Sequence, residues 1–436
     1  MSMAVIFPDK GEIFMRDDSL SFYQVLSEEL VPALGCTEPI ALAFAAAKAR
    51  DILGSYPDKI RLTSSGSLLK NAKSVVVPHT GGLQGIGASI LAGLVGGDVS
   101  MSMQLLDGIG KKEINKIREL SERMPIEIYL LKTNSNLHFI LEFFRGSEQV
   151  FIETKDLHTN IVKIMKNGKI IFQKENDPNL YKGVMTDRSF MTIDSIYDFI
   201  TKTNWKKLRE IMSDQVKDNM AIAKAGLTGE YGVAIGKTIL EYDKTILGKM
   251  KAYAASALEA RMCGCDKPVI TNSGSGNQGI TASIPVIILA EQLGVSEEQT
   301  YRALALSNLL TIYQKTQIGR LSPFCGVVSA GGAAGGAMTY LYNGSKDAIA
   351  ETINNTLANI AGIICDGAKA TCAMKICSAI EAGWLASRLA LKRKKYPAGT
   401  GIIGRSADDT IISAGKLATE GMASTEEHLM KTILKH

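Results

Sequence analysis

From about residue 205 onward the chain is a succession of helix-length segments built largely from alanine, glycine and aliphatic residues. Gln215–Ala225, Leu247–Arg261, Gln299–Tyr313, Asp347–Gly362 and Ala370–Leu391 have the length and apolar spacing of helices. Side chains this small let helix backbones approach closely, so residues 205–436 are predicted to form a tightly packed helical domain. A bilayer is not the expected surroundings. Apolar runs such as Ile280–Ala290 fall short of the ~20 residues that a crossing needs.

Two other textures precede this region. Residues 1–124 read as a mixed α/β segment. Asp17, Asp18 or Ser19 can cap a helix running to about Val31, and a second helix covers Pro39–Leu53, where the proline suits a first helical turn. Lys59–Ser64 and Ser74–Val77 read as strands, and Gly81–Gly97 contains a further helix. Residues 125–204 are β-rich, with strands predicted at Glu127–Leu131, Leu137–Phe143, Gln149–Thr154 and Lys169–Lys174. Asn134–Asn136, Arg145–Ser147 and Asn167–Gly168 supply the turns. The expected architecture is α+β: an Ala/Gly-rich helical catalytic domain with a smaller mixed α/β subdomain. A chain of 436 residues, 46% hydrophobic and 21% charged, is ordinary globular material for two or three domains.

The net charge of +5 is thinly spread, and Lys392-Arg-Lys-Lys395 reads as a solvated helix end. That argues against nucleic acid and leaves room for small anionic substrates. Met1–Phe14 carries Asp9, Lys10 and Glu12 where a signal peptide would be apolar, so a cytoplasmic location is expected. The seven cysteines then point to ligands or catalytic thiols rather than a disulfide framework.

Cys325 lies in Ser-Pro-Phe-Cys-Gly-Val-Val, and Cys365 and Cys372 lie in Cys-Asp-Gly-Ala-Lys-Ala-Thr-Cys; Cys377 follows. Thiolates in glycine-bearing loops suit iron–sulfur clusters, although buried free cysteines are also common packing residues. Zinc is the competing metal, but no histidine lies near these cysteines. Cys36, in Gly-Cys-Thr-Glu-Pro, precedes a helix whose dipole is expected to lower its thiol pKa. It can be a base, a nucleophile, a ligand or plain packing. Thr271–Ile280, with Ser273, Ser275 and Asn277 between glycines, offers either an anion-binding nest or a polar turn. Lys70 and Asn71 follow a hydroxyl-rich turn and can clamp a carboxylate, though a solvated lysine is the commoner fate. Lys315 invites a pyridoxal phosphate reading that nothing around it completes.

Taken in order, Gly35–Pro39, Lys70-Asn71, Ser273–Gly279, the segment at Cys325 and Cys365–Cys372 resemble the L-cysteine desulfidase family, kin to the iron–sulfur L-serine dehydratases through their alpha-chain domain. The resemblance implies a [4Fe-4S] cluster held by Cys325, Cys365 and Cys372, with the fourth iron open to substrate. It also implies that Cys36 moves a proton at the substrate. Lys70, Asn71, Ser273, Ser275 and Asn277 are then expected to hold the carboxylate and amino group of a small amino acid. A homodimer is compatible with such an enzyme. The expected reaction converts L-cysteine and water to hydrogen sulfide, pyruvate and ammonia, with iron as Lewis acid. A related lyase acting on another 3-substituted amino acid, a non-catalytic cluster-binding sensor and a pyridoxal phosphate enzyme are the alternatives.

Overall fold

The computed structural model describes residues 18–433, apart from 134, 136, 175–185, 320 and 321; Asp17, Asn134 and Asn136 therefore lie outside the described residues. Its architecture is α+β. One mixed sheet runs, in spatial order, through Ile126–Leu130, Lys59–Ser64, His138–Arg145, Glu148–Lys155, Ile161–Lys166 and Lys169–Gln173. The first two strands are parallel and every other neighbouring pair is antiparallel. The strands alternate as a half-buried sheet must. Ile60, Leu62, Phe139, Leu141, Phe143, Val150 and Ile152 point inward against the alanine-rich helix Thr37–Leu53 and its neighbour Gly85–Gly96. Each large side chain among them contributes about 1.5–3 kcal/mol by leaving water. Because Lys59–Ser64 lies between two later strands, one sheet spans both sides of residue 125.

A second, larger core gathers Phe22 and Leu26 of the helix Asp18–Glu29 with the long helices after residue 190. Cys36 belongs to this helical core, and Ile40, four residues on, belongs to the core beneath the sheet. The start of the helix Thr37–Leu53 thus marks the boundary between the two. Short strands Pro32–Ala33 and Val269–Ile270 pair antiparallel there, laying the approach to Cys36 beside the approach to Thr271–Gly279.

Four elements differ from those the sequence predicts. Ser74–Val77 is not a strand; it contributes only a single bridge, Val76 to Gln84. The strand Ile161–Lys166 and the helices Gly276–Leu293 and Gly326–Leu341 were not anticipated. The first of these helices holds an internal proline, Pro285, and the second holds Gly331, Gly332, Gly335 and Gly336. Each such residue disfavours a helix locally, by about 1 kcal/mol for glycine and about 3 kcal/mol for proline, and burial against neighbours overrides it. Among the described residues, no helix is long and apolar enough to cross a membrane.

Candidate active site

Four helix starts meet at the boundary between the two cores. Cys36 is the N-cap of Thr37–Leu53, Ser275 of Gly276–Leu293 and Cys325 of Gly326–Leu341, while Cys372 opens Cys372–Leu391. Arg261, at the end of the helix Ile246–Met262, ties them together. Its Nη1 donates to Asn277 Oδ1 at 2.7 Å and its Nη2 to the Gly35 carbonyl at 2.5 Å. Its charge also acts on Cys36, Glu38 and Cys372. Helix starts and a buried guanidinium give this place a positive field suited to anions.

The cysteines come together through backbone pairing. Phe324 bridges Ile364, the Cys325 N–H donates to Ile363 at 3.0 Å, and the Cys365 N–H donates to Pro323 at 2.6 Å. The two thiols lie close enough to act on each other's ionisation. That contact raises the Cys325 pKa, with burial adding to it. The same contact lowers Cys365, against burial and with help from Lys70. Cys372 sits in electrostatic contact with both, and burial raises its thiol. The backbone at Val327, Gly367 and Lys369 favours the thiolate of Cys325, Cys365 and Cys372 respectively. The helices that start at Cys325 and Cys372 run parallel in near-contact. A Cβ on Gly335 would lie 2.7 Å from the Gly383 carbonyl, and one on Gly383 would lie 2.3 Å from that of Gly331. This packing holds the two starts side by side. Among the described residues, no three His, Cys, Asp or Glu side chains stand close enough to hold a single metal ion. In kind, three soft sulfur donors, each with a backbone that favours its thiolate and with lysines nearby, suit a sulfur-liganded iron centre.

Cys36 departs from the expected low pKa. Its thiol is 3% exposed and donates to Glu38 Oε2 at 2.9 Å. Burial raises its pKa well above the usual thiol value and Glu38 adds to this; Arg261 opposes them without prevailing. Burial alone would raise Glu38 as well, but His158, the Cys36 thiol, a backbone N–H and Arg261 together hold its carboxyl below the usual value. The resting pair is therefore neutral thiol and carboxylate.

Asn71 is spent between two partners. Its Nδ2 donates to Glu38 Oε1 at 3.1 Å, and its Oδ1 accepts the Ala368 N–H at 3.1 Å, linking Glu38 to the cysteine loop. Lys70 is buried, and its carbonyl lies against Gly367. Ser273 Oγ donates to Asn272 Oδ1 at 2.9 Å, Ser275 Oγ accepts the Gln278 N–H, and Asn277 accepts from Arg261. Cys36, Lys70, Asn71, Asn277, Cys325, Cys365 and Cys372 are linked through Glu38, Arg261 and the Gly367 loop, while Ser273 and Ser275 bond within their own turn; Asn71, Ser273, Ser275 and Asn277 already have protein partners. Cys377 Sγ turns elsewhere, toward the Lys251 carbonyl at 3.9 Å, and Cys265 is engaged with Tyr231.

Arg261, His158 and Gln278 join the site without a local sequence signal. His158 arrives on the turn between Glu148–Lys155 and Ile161–Lys166, and no local spacing signals that contact. Gln278 was visible only as part of the Ser273–Gly279 turn. Its Oε1 and the Nε of Arg261 are buried and, among the described residues, have no hydrogen-bond partner. An orphaned buried polar group of this kind costs about 1–3 kcal/mol.

The comparisons with known proteins agree on kinship. Residues 103–431 match the family model described as serine dehydratase alpha chain. A UPF0597 protein of Lachnoclostridium phytofermentans is 43% identical over 411 residues, covering 94% of this chain and 98% of its own. UPF0597 proteins of Treponema denticola (41%; 95% and 97% covered) and Fusobacterium nucleatum (40%; 94% and 98%) are similarly close. With most of its length matched in this way, the chain belongs to the serine dehydratase alpha chain family.

Proposed function

We propose that this protein is an iron–sulfur-dependent carbon–sulfur lyase that converts L-cysteine and water to hydrogen sulfide, pyruvate and ammonia. The observation that supports this reading is the gathering of Cys325, Cys365 and Cys372 beside the buried Cys36–Glu38 pair. Cys325, Cys365 and Cys372 would hold a [4Fe-4S] cluster. When bound, such a cluster with one open iron supplies Lewis-acid polarisation of the leaving sulfur.

The chain's own residues supply proton transfer and positioning. Cys36 rests as a thiol, so it takes the substrate Cα proton only as it passes its own proton to Glu38. Arg261 favours the transient thiolate. The electron pair of the broken Cα–H bond becomes the Cα–Cβ double bond, and the Cβ–S bond breaks with its pair leaving on sulfur as hydrosulfide. The resulting aminoacrylate tautomerises to an imine, and water releases pyruvate and ammonia. Asn71 keeps Glu38 in place. Lys70, Ser273, Ser275 and Asn277 frame the amino-acid site, and burial of Lys70 and Ser273 limits water access there.

A second reading follows from the family description: the leaving group is a hydroxyl, and the substrate L-serine or another 3-substituted amino acid. The test is anaerobic purification with iron and acid-labile sulfide measured in the sample used for turnover. Sulfide release from L-cysteine well above the dehydration of L-serine is expected, and the reverse preference supports the second reading. Cys325→Ser should lose iron, whereas Cys36→Ser should keep it and lose turnover. Purified protein holding neither iron nor sulfide, yet active, would overturn the cluster.

A further inference from the structure

The two orphaned groups at the site are complementary. Arg261 Nε carries a hydrogen to donate, and Gln278 Oε1 can only accept. Arg261 is 3% exposed and Gln278 4%. A Cβ on Gly326 would lie 2.6 Å from Gln278 Cδ, so this amide sits directly against the residue that follows Cys325. A Cβ on Gly276 would lie 2.5 Å from Arg261 Nε, which puts the guanidinium beside the same helix start. Buried polar atoms are almost always paired, so two such atoms of opposite character, one on Gln278 and one on the guanidinium bonded to its neighbour Asn277, mark a place where a ligand completes the bonding. A ligand that satisfies both must offer an acceptor to Arg261 and a donor to Gln278. The carboxylate and ammonium of an α-amino acid, borne on one carbon, offer that pair.

We propose that Arg261 and Gln278 are the residues that recognise the substrate's head groups, Arg261 taking the carboxylate and Gln278 Oε1 the ammonium. This rests on the amino-acid lyase reading and deepens it. The neighbouring Ser273, Ser275 and Asn277 side chains shape the turn, because their bonds are already made within the protein. The site therefore selects for the two head groups, whatever the leaving group on Cβ.

The test is calorimetric binding to the anaerobically purified protein, using unreactive probes that carry both head groups or one: L-alanine, propionate and ethylamine. Wild type should bind L-alanine at least tenfold more tightly than either fragment. Gln278→Met should weaken L-alanine at least tenfold and leave propionate unchanged, while Gln278→Glu, which keeps an acceptor, should restore L-alanine binding. Arg261→Lys should weaken L-alanine and propionate together and leave ethylamine unchanged. Gln278→Met that weakens L-alanine and propionate equally, or that leaves both unaltered, overturns the assignment while the lyase reading stands. Wild type that binds no amino acid overturns the lyase reading itself.

Discussion

The Cys36 thiol donates to one oxygen of Glu38 at 2.9 Å while Asn71 donates to the other at 3.1 Å. The carboxylate is thus placed to accept a proton and prevented from turning away. Removing its charge while keeping its shape isolates that role. Glu38→Gln should lower turnover by about 10²–10⁴-fold, the usual loss for a general acid–base group, with iron content unchanged. Turnover near wild type in that variant would mean that Cys36 hands its proton elsewhere.

The same pair makes stability depend on pH in opposite directions at the two ends of the scale. Glu38 has a lowered folded pKa. Its contribution is therefore present above the unfolded value of about 4.3 and is lost as pH falls through the folded value. Cys36 has a raised folded pKa. Its contribution is present below the unfolded value of about 8.5 and is lost as pH rises toward the folded value. Glu38→Gln should flatten the acid limb of Tm against pH, and Cys36→Ser should flatten the alkaline limb. Scanning calorimetry of both variants across pH checks this; limbs that overlay those of wild type would refute the directions.

Gly383 tests the close pairing of the two cysteine-bearing helices. Alanine is the better helix former by about 1 kcal/mol, so local propensity predicts that Gly383→Ala stabilises. The contact predicts the reverse, because the new Cβ would lie 2.3 Å from the Gly331 carbonyl and force the helices apart. Overpacking of this kind typically costs about 1–3 kcal/mol. Gly383→Ala should lower the denaturation midpoint and reduce retained iron. A raised midpoint would show that the helices have room.

The sequence carried the elements whose signals are local. Lys59–Ser64 was read to the residue, because its alternation is strict and its turn neighbours are clear. The helix at Pro39–Leu53 was read to within two residues, starting at Thr37. The glycine-rich helix Gly326–Leu341 is not legible in the sequence because its stability comes from backbone contact with Cys372–Leu391, which propensity cannot register. The cysteines were legible as residue types; their meeting depends on the Phe324–Ile364 bridge. The Cys36 pKa runs opposite to the helix-dipole expectation for a quantitative reason. A helix dipole is worth about 0.3–1 kcal/mol at a terminus, and burial beside Glu38 outweighs it. Arg261 has no local signal because its partner, Gly35, lies 226 residues away.

Gly367 is where the cysteine loop touches the sheet-bearing half, and it allows the most direct test of that junction. Its φ is +101°, a conformation that L side chains rarely adopt, and a Cβ there would lie 2.1 Å from the Lys70 carbonyl oxygen. Its backbone favours the Cys365 thiolate, and its carbonyl accepts from the Cys372 thiol at 3.4 Å and from Lys369 Nζ at 3.1 Å. The next residue, Ala368, donates to Asn71. Gly367→Ala thus imposes a strained backbone, about 1–3 kcal/mol by itself, and a collision with main-chain atoms that cannot rotate aside. The loop must withdraw from Lys70, which pulls Ala368 from Asn71 and disturbs the backbone around Cys365 and Cys372. The variant should lose iron and turnover together and show a lower denaturation midpoint. Cys377→Ser, in the helix that follows, should change neither iron nor turnover by more than about twofold, because its sulfur faces Lys251 instead. Gly367→Ala with wild-type iron and midpoint would mean that the loop holds its thiols without resting on Lys70.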